Sequence, residues 1–128
     1  MIFGILDYLS EASIEREVLG READVRCLEC RAEADLPRDL ADFRAVMLWH
    51  CISLGAESLR RLTSCQVVVR VGVGYDSVDI RAAGALGIPV VNIPDYGTND
   101  VADHAMALLL SLARRLPTYH DGLRNDPA

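Results

Sequence analysis

Residues 66–79 read QVVVRVGVGYDSVD. The β-branched run 66–71 is too apolar to face water on either side, as expected of a strand inside a parallel sheet. It stops at Gly72 and Gly74, one residue apart, and an acidic segment able to start a helix follows. The stretch therefore predicts strand, loop and helix in that order.

The same order repeats on both sides. Upstream, IFGILD (2–7) predicts a buried strand, and Ser10 offers an N-cap for a helix over 11–19 with Ile14, Val18 and Leu19 on one face. ADVRCLEC (23–30) predicts a second strand. Pro37 suits the first turn of a short helix over 37–42. AVMLWH (45–50) predicts a third strand, and 53–62 a helix with Leu59 and Leu62 on one side. Downstream, 77–86 predicts a helix with Val78, Ala82, Ala85 and Leu86 inward and Gly87 as its stop. PVVNI (89–93) predicts a fifth strand. After the loop PDYGTND comes a helix over 99–116, striped by Val101, Ala105, Leu108, Leu109 and Leu112. Strands alternating with helices predict an α/β domain, a parallel sheet with helices on both faces. Right-handed crossovers put the loops after the strands' carboxyl ends on one edge, where ligands bind.

Composition narrows the function. The chain has 128 residues, 51% of them apolar, which suits one compact domain with a real core. Net charge is −6, and all thirteen cations are scattered arginines, so no basic stripe for nucleic acid exists. The absence of lysine excludes Schiff-base chemistry and a Walker lysine. No apolar stretch reaches membrane-spanning length. MIFGILDYLSEAS lacks a basic leader region and carries Asp7 inside its apolar run, so it is expected to be a first strand, not an export signal. A cytoplasmic location and reduced cysteines are the expectation.

The glycine loop lies on the ligand edge. Glycine admits φ > 0, which lets successive N–H groups face one spot. Such a concavity binds a carboxylate or phosphate, and a following helix N-terminus adds partial positive charge. A plain tight turn is the competing account. The dinucleotide fingerprint G-x-G-x-x-G is not met, because Ser77 stands at its third position.

Other candidates have ordinary alternatives. Cys27 and Cys30 have C-x-x-C spacing, but no second pair completes a zinc set, and acidic neighbours disfavour a redox thiolate. Asp100, Asp103 and His104 share a helix face and are a candidate metal set, against the more ordinary account that the carboxylates favour a helix N-terminus and His104 packs beside Val101 and Leu108. No metal site is expected. His50, at a strand's carboxyl end, is a substrate-side candidate, whereas His120 is expected in solvent near the terminus. Asp76 is expected to N-cap the 77–86 helix, with Asp79 favouring the same start. Tyr96 and Asn99 follow strand five and line either the cleft or a turn.

WHCISL, VVVRVGVGYDSVDIRAAGALGIPVVNIPDYGTNDVADHAMALLLSLARR and their spacing resemble the D-isomer-specific 2-hydroxyacid dehydrogenases, in the phosphoglycerate dehydrogenase and C-terminal-binding-protein-like branch. The resemblance is sharpest over 45–116. It implies a flavodoxin-like substrate domain over 1–98 and, over 99–128, a long crossing helix into a nicotinamide-binding domain. It implies that the Val73 and Gly74 amides hold the substrate carboxylate, with Gly72 also in the substrate-binding loop, that Val73 also touches the nicotinamide, and that Arg70 reaches the substrate's far end. The implied cofactor is NAD or NADP, bound mainly by a domain not in this sequence. The implied partners are a small 2-hydroxy or 2-oxo acid and a second subunit in a homodimer, with no nucleic acid or membrane. The family's G-x-G-x-x-G and its catalytic Arg, Glu and His would lie past Ala128, so no catalytic residue is expected here and the chain alone is expected to be inactive. The alternative is a corepressor-type interaction module without turnover.

Overall fold

The computed structural model describes residues 1–125. The chain forms two compact units, Met1–Pro94 and Asp95–Ala128. The first holds β1 (Ile2–Ile5), α1 (Ser13–Leu19), β2 (Asp24–Cys27), a 3₁₀ turn (Glu33–Asp35), β3 (Phe43–Leu48), α2 (Ala56–Arg61), β4 (Val67–Arg70), α3 (Ile80–Ala85) and β5 (Val90–Asn92). The five strands are all parallel in the order β2-β1-β3-β4-β5, the flavodoxin-like arrangement. Its order reverses between β1 and β3, and the crevice outside their carboxyl ends is the preferred ligand position.

Two apolar clusters reflect the period of two along each strand. Leu6, Val46, Leu48 and Val68 pack with Leu59 of α2 and Ala83 of α3. Ile5 and Val25 pack on the other side with Ala12, just ahead of α1. Each fully buried aliphatic side chain contributes about 1.5–3 kcal/mol.

Several helices differ from expectation for local reasons. The first starts at Ser13, Ser10 makes no cap, and Ile14 and Val18 are 71% and 79% exposed. No helix forms over 37–42. Instead the Asp35 carboxylate accepts the Arg31 and Ala32 amides at 3.1 and 2.9 Å, which closes the 3₁₀ turn upstream. Leu36, preceding Pro37, is extended, as proline demands of its predecessor. Helix α2 begins late because Leu54 is drawn into an isolated parallel bridge with Val78. The same bridge engages Val78, at the end of the Tyr75–Val78 turn, so α3 starts at Ile80. Its N-cap is therefore Asp79, whose Oδ1 accepts the Ala82 amide at 2.9 Å, and not Asp76. The three-residue delay turns Ala83 inward, while Ala85 and Leu86 are exposed. Gly87, with φ 73°, ends the segment as expected.

In the second unit, α4 (Thr98–Ala113) stops short of 116, and α5 (Leu116–Asn125), which was not expected, follows. Arg115 takes a left-handed φ of 53°, breaking the helix just before Leu116-Pro117. Neither helix buries a residue. Residues 126–128 of the expected 99–128 segment lie outside the described residues.

Candidate functional site

The loop after β4 is built by an asymmetry in its hydrogen bonds. Val71 N–H still donates to Leu48 O of β3 at 2.8 Å, and Gly72 N–H then turns back to Arg70 O at 2.9 Å. From there four of the loop's carbonyls are engaged. Gly72 O accepts from Ile93 N at 3.0 Å, and Val73 O from the Asn92 side chain at 2.7 Å. Tyr75 O accepts from Val78 N at 3.0 Å, and Ser77 O from Leu54 N at 2.7 Å. Among the described residues the amides of Val73, Gly74, Tyr75, Asp76 and Ser77 donate to no protein group. A loop with four of its six carbonyls engaged and five free amide donors at the sheet's ligand edge is electropositive at short range and suits an anionic acceptor.

The two glycines serve different ends. Gly72 has φ 153°, outside what a side chain tolerates, and a Cβ there would fall on the Arg70 guanidinium. Gly74 has no positive φ, so left-handed backbone is required at the first glycine alone. Val73 and Tyr75 stand half-exposed on the loop. Asp76 lies beside Gly74, close enough that a Cβ on that glycine would be 3.5 Å from Oδ2, and places a carboxylate next to the free donors. The expected help from a helix N-terminus is weak, because α3 has six residues, begins at Ile80 and is closed by Asp79.

Arg70 folds back over the base of the loop. Its Nη1 donates to Val71 O at 2.9 Å, and its Nε is buried with no partner. A cleft of about 370 Å³ flanks the loop, lined by Tyr75, Ile80, Gly84, Ile88, Val90 and Asn92.

One strand over, at the switch point, the structure shows a cluster that sequence reasoning singled out only at His50. Asp7 is fully buried and accepts Trp49 N–H at 2.7 Å and Cys51 N–H at 2.8 Å. His50, between those donors, is exposed, and its ring centroid is 5.5 Å from that of Tyr8 at 56°. The available signal was Asp7 itself, a charge closing the apolar run IFGIL.

The remaining candidates do not converge. All four cysteines are free thiols. Burial pushes the Cys30 thiol up, with Asp35 and Asp7 adding to it, and Sγ donates to Leu28 O and Asp35 O. Burial also raises Cys27, more than Arg16 lowers it. Neither is a poised thiolate. Among the described residues no three His, Cys, Asp or Glu side chains are grouped to hold a metal. Asp100 and His104 line a shallow apolar groove on α4 with Val101, Ala105 and Leu108. Asp103, Tyr96, Asn99 and His120 are exposed.

A parallel sheet in the order β2-β1-β3-β4-β5, with free amide donors on the loop after β4, defines an α/β domain of the doubly wound class. Residues 5–119 match the family described as D-isomer specific 2-hydroxyacid dehydrogenase, catalytic domain, and the chain belongs to that family. D-3-phosphoglycerate dehydrogenase of Mycobacterium tuberculosis (strain CDC 1551 / Oshkosh) is 32% identical over 120 residues, 94% of this chain and 22% of that protein. The NADPH-dependent glyoxylate/hydroxypyruvate reductase of Sinorhizobium meliloti, in complex with citrate, is 30% identical with a TM-score of 0.78, over 97% of this chain and 38% of its own. D-lactate dehydrogenase of Aquifex aeolicus, complexed with NAD and lactic acid, has a TM-score of 0.80 at 21% identity, over 95% and 37%, and supports the fold alone. The chain thus spans 22% of the length of the curated relatives named for phosphoglycerate.

Proposed function

We propose that this chain is the substrate-domain portion of an NAD(P)-dependent D-2-hydroxyacid dehydrogenase, and that its 72–77 loop anchors the carboxylate of a 2-hydroxy or 2-oxo acid. The observation that carries the proposal is the run of free amides from Val73 to Ser77, set against carbonyls tied to β5 and to the chain ahead of α2 and α3. The dehydrogenase relatives favour this over a corepressor-type module.

Oxidising a 2-hydroxy acid needs a carboxylate anchor, a base for the hydroxyl proton and a hydride acceptor held against C2. We assign the anchor to the amides of Val73 and Gly74, with His50 as a second contact from the neighbouring strand. Val73, half-exposed on the loop, is our assignment for contact with the nicotinamide end. A role for Arg70 at the substrate's far end requires its guanidinium to leave Val71 O. The described residues do not fit a whole dinucleotide. No G-x-G-x-x-G is present, and the short α3 has its first turn closed by a carboxylate. The cofactor's main site, the base and the catalytic Arg and Glu are therefore assigned to further chain of a longer protein. A homodimer fits the bare apolar α4, and free thiols fit a reducing cytoplasm.

Two or three charge-assisted bonds in a half-open loop give about 2–4 kcal/mol net. That corresponds to roughly millimolar binding or weaker. An amide NMR titration with D-glycerate, D-lactate and sulfate tests it. Shifts confined to 72–77 and His50 support the anchor, and shifts clustered elsewhere overturn it.

A further inference from the structure

We infer that Asp7 is a positioning residue of the ligand edge: its carboxylate grips the chain on both sides of His50 and holds that imidazole against Tyr8. The inference rests on the proposed role of this edge in binding a small acid. Asp7 is 0% exposed, and burying a carboxylate is costly without hydrogen bonds or an opposite charge. Among the described residues no cation pairs with it. Its compensation is two amides, 42 and 44 residues away in the chain, at 2.7 and 2.8 Å, within the range of charge-assisted bonds. Each carboxylate oxygen takes one donor, so the turn 49–51 is held at both ends.

The placement gives that grip a use. Asp7 and Tyr8 are neighbours in the bend just past β1, and the gripped turn carries His50, so one carboxylate ties together the backbone beneath both rings. The rings meet at the switch point between β1 and β3. Leu48 pairs with Arg70, and His50 lies two residues past Leu48, as Gly72 lies two past Arg70. An apolar residue at position 7 would fill the volume but orphan the Trp49 and Cys51 amides. The turn would then be free to satisfy them elsewhere and carry His50 with it.

The test is Asp7→Asn in the 128-residue chain. The carboxamide keeps one acceptor oxygen and turns its other arm into a donor facing an N–H. The expected result is faster exchange of the Trp49 or Cys51 amide and loss of nuclear Overhauser contacts between the Tyr8 and His50 rings. The His50 response to D-glycerate should weaken about three- to tenfold, because the competent turn is then populated only part of the time. The 73–77 amides should still respond to sulfate as in the parent chain, which a general loss of structure would not allow. Intact Tyr8–His50 contacts with an unchanged glycerate response in Asp7→Asn would overturn the inference. Should Asp7→Asn unfold, hydrogen exchange in the parent decides. Trp49 and Cys51 amides exchanging like open loop amides overturn the grip, and protected amides with a persistent Tyr8–His50 contact support it. If D-glycerate shifts nothing in the parent, the anchoring proposal fails by itself. The ring contact in Asp7→Asn still decides the role of Asp7, its loss supporting the inference and its persistence overturning it.

Discussion

Gly72 and Gly74 look equivalent in a string of letters and stand under unequal constraints. At φ 153° Gly72 occupies backbone space closed to side chains, and the Arg70 guanidinium fills the place a Cβ would take. Gly74 has neither burden: its backbone is not left-handed, and a Cβ there would meet Asp76 at ordinary contact distance. Gly72→Ala should therefore cost about 1–3 kcal/mol, with loss of the sulfate response at 73–77. Gly74→Ala should stay within about 0.5 kcal/mol. Urea titration of both variants checks this, and equal losses would mean that the loop is not strained at Gly72. The thiols give a second expectation. Cys30 and Cys65 are raised above the ordinary 9.0, chiefly by burial, so the folded chain holds their protons more tightly than the unfolded chain. That contribution to stability is complete below the unfolded value of 9.0 and is lost as pH rises through the folded values. Urea midpoints should thus fall above pH 9 in the parent and fall less in Cys30→Ala, compared at matched ionic strength.

At the scale of elements, the delayed start of α3 makes two neighbouring aspartates separable. Asp79 accepts the Ala82 amide, while Asp76 is exposed and makes no cap. Asp79→Ala should cost about 1 kcal/mol and Asp76→Ala less than about 0.5 kcal/mol. Asp76→Asn should also tighten sulfate binding, because it removes a like charge beside the donors. Chemical denaturation and the same NMR titration read both effects, and a larger loss at Asp76 would restore the earlier helix start. This pair also shows what was legible in the sequence. All five strands are found inside the segments that predict them: β4 shows as a β-branched apolar run, while the edge strand β2, with Asp24 and Arg26 exposed, shows only a loose alternation. Helix starts were less legible, because long-range bonds set them. The Leu54–Val78 bridge joins residues 24 apart and delays both α2 and α3. The Asp35 side chain captures the turn that Pro37 was expected to open as a helix. At the site, the glycine loop was legible as punctuation, and its free amides follow from pairing with β5, which no local pattern encodes. Asp7 was visible only as a charge ending an apolar run, and its donors lie more than forty residues away.

For the whole molecule, the main unsatisfied feature is apolar surface. Helix α4 has sixteen residues and buries none, and Val101, Met106, Leu108, Leu110 and Leu112 are each more than half exposed. Their spacing wraps the helix instead of forming one stripe, so burying a single face would still leave apolar side chains in water. A helix of this length is marginal alone in water and takes most of its stability from packing. The first unit has its own bare positions at Ile14 and Val18 of α1 and Val91 of the edge strand β5. Patches of this kind are association surfaces on otherwise soluble domains. The chain should therefore self-associate at tens of micromolar, a range where exposed apolar surface associates. Sedimentation velocity is the measurement. Association driven by apolar contact should strengthen with added sulfate, which favours burial, and should survive high sodium chloride, which would screen an ionic contact. Leu108→Glu with Leu112→Glu should shift the chain to monomer while leaving the β-sheet amides of the first unit unchanged. A monomer in the parent chain at those concentrations, or an oligomer that ignores both substitutions, would show that α4 is not the surface that draws copies together.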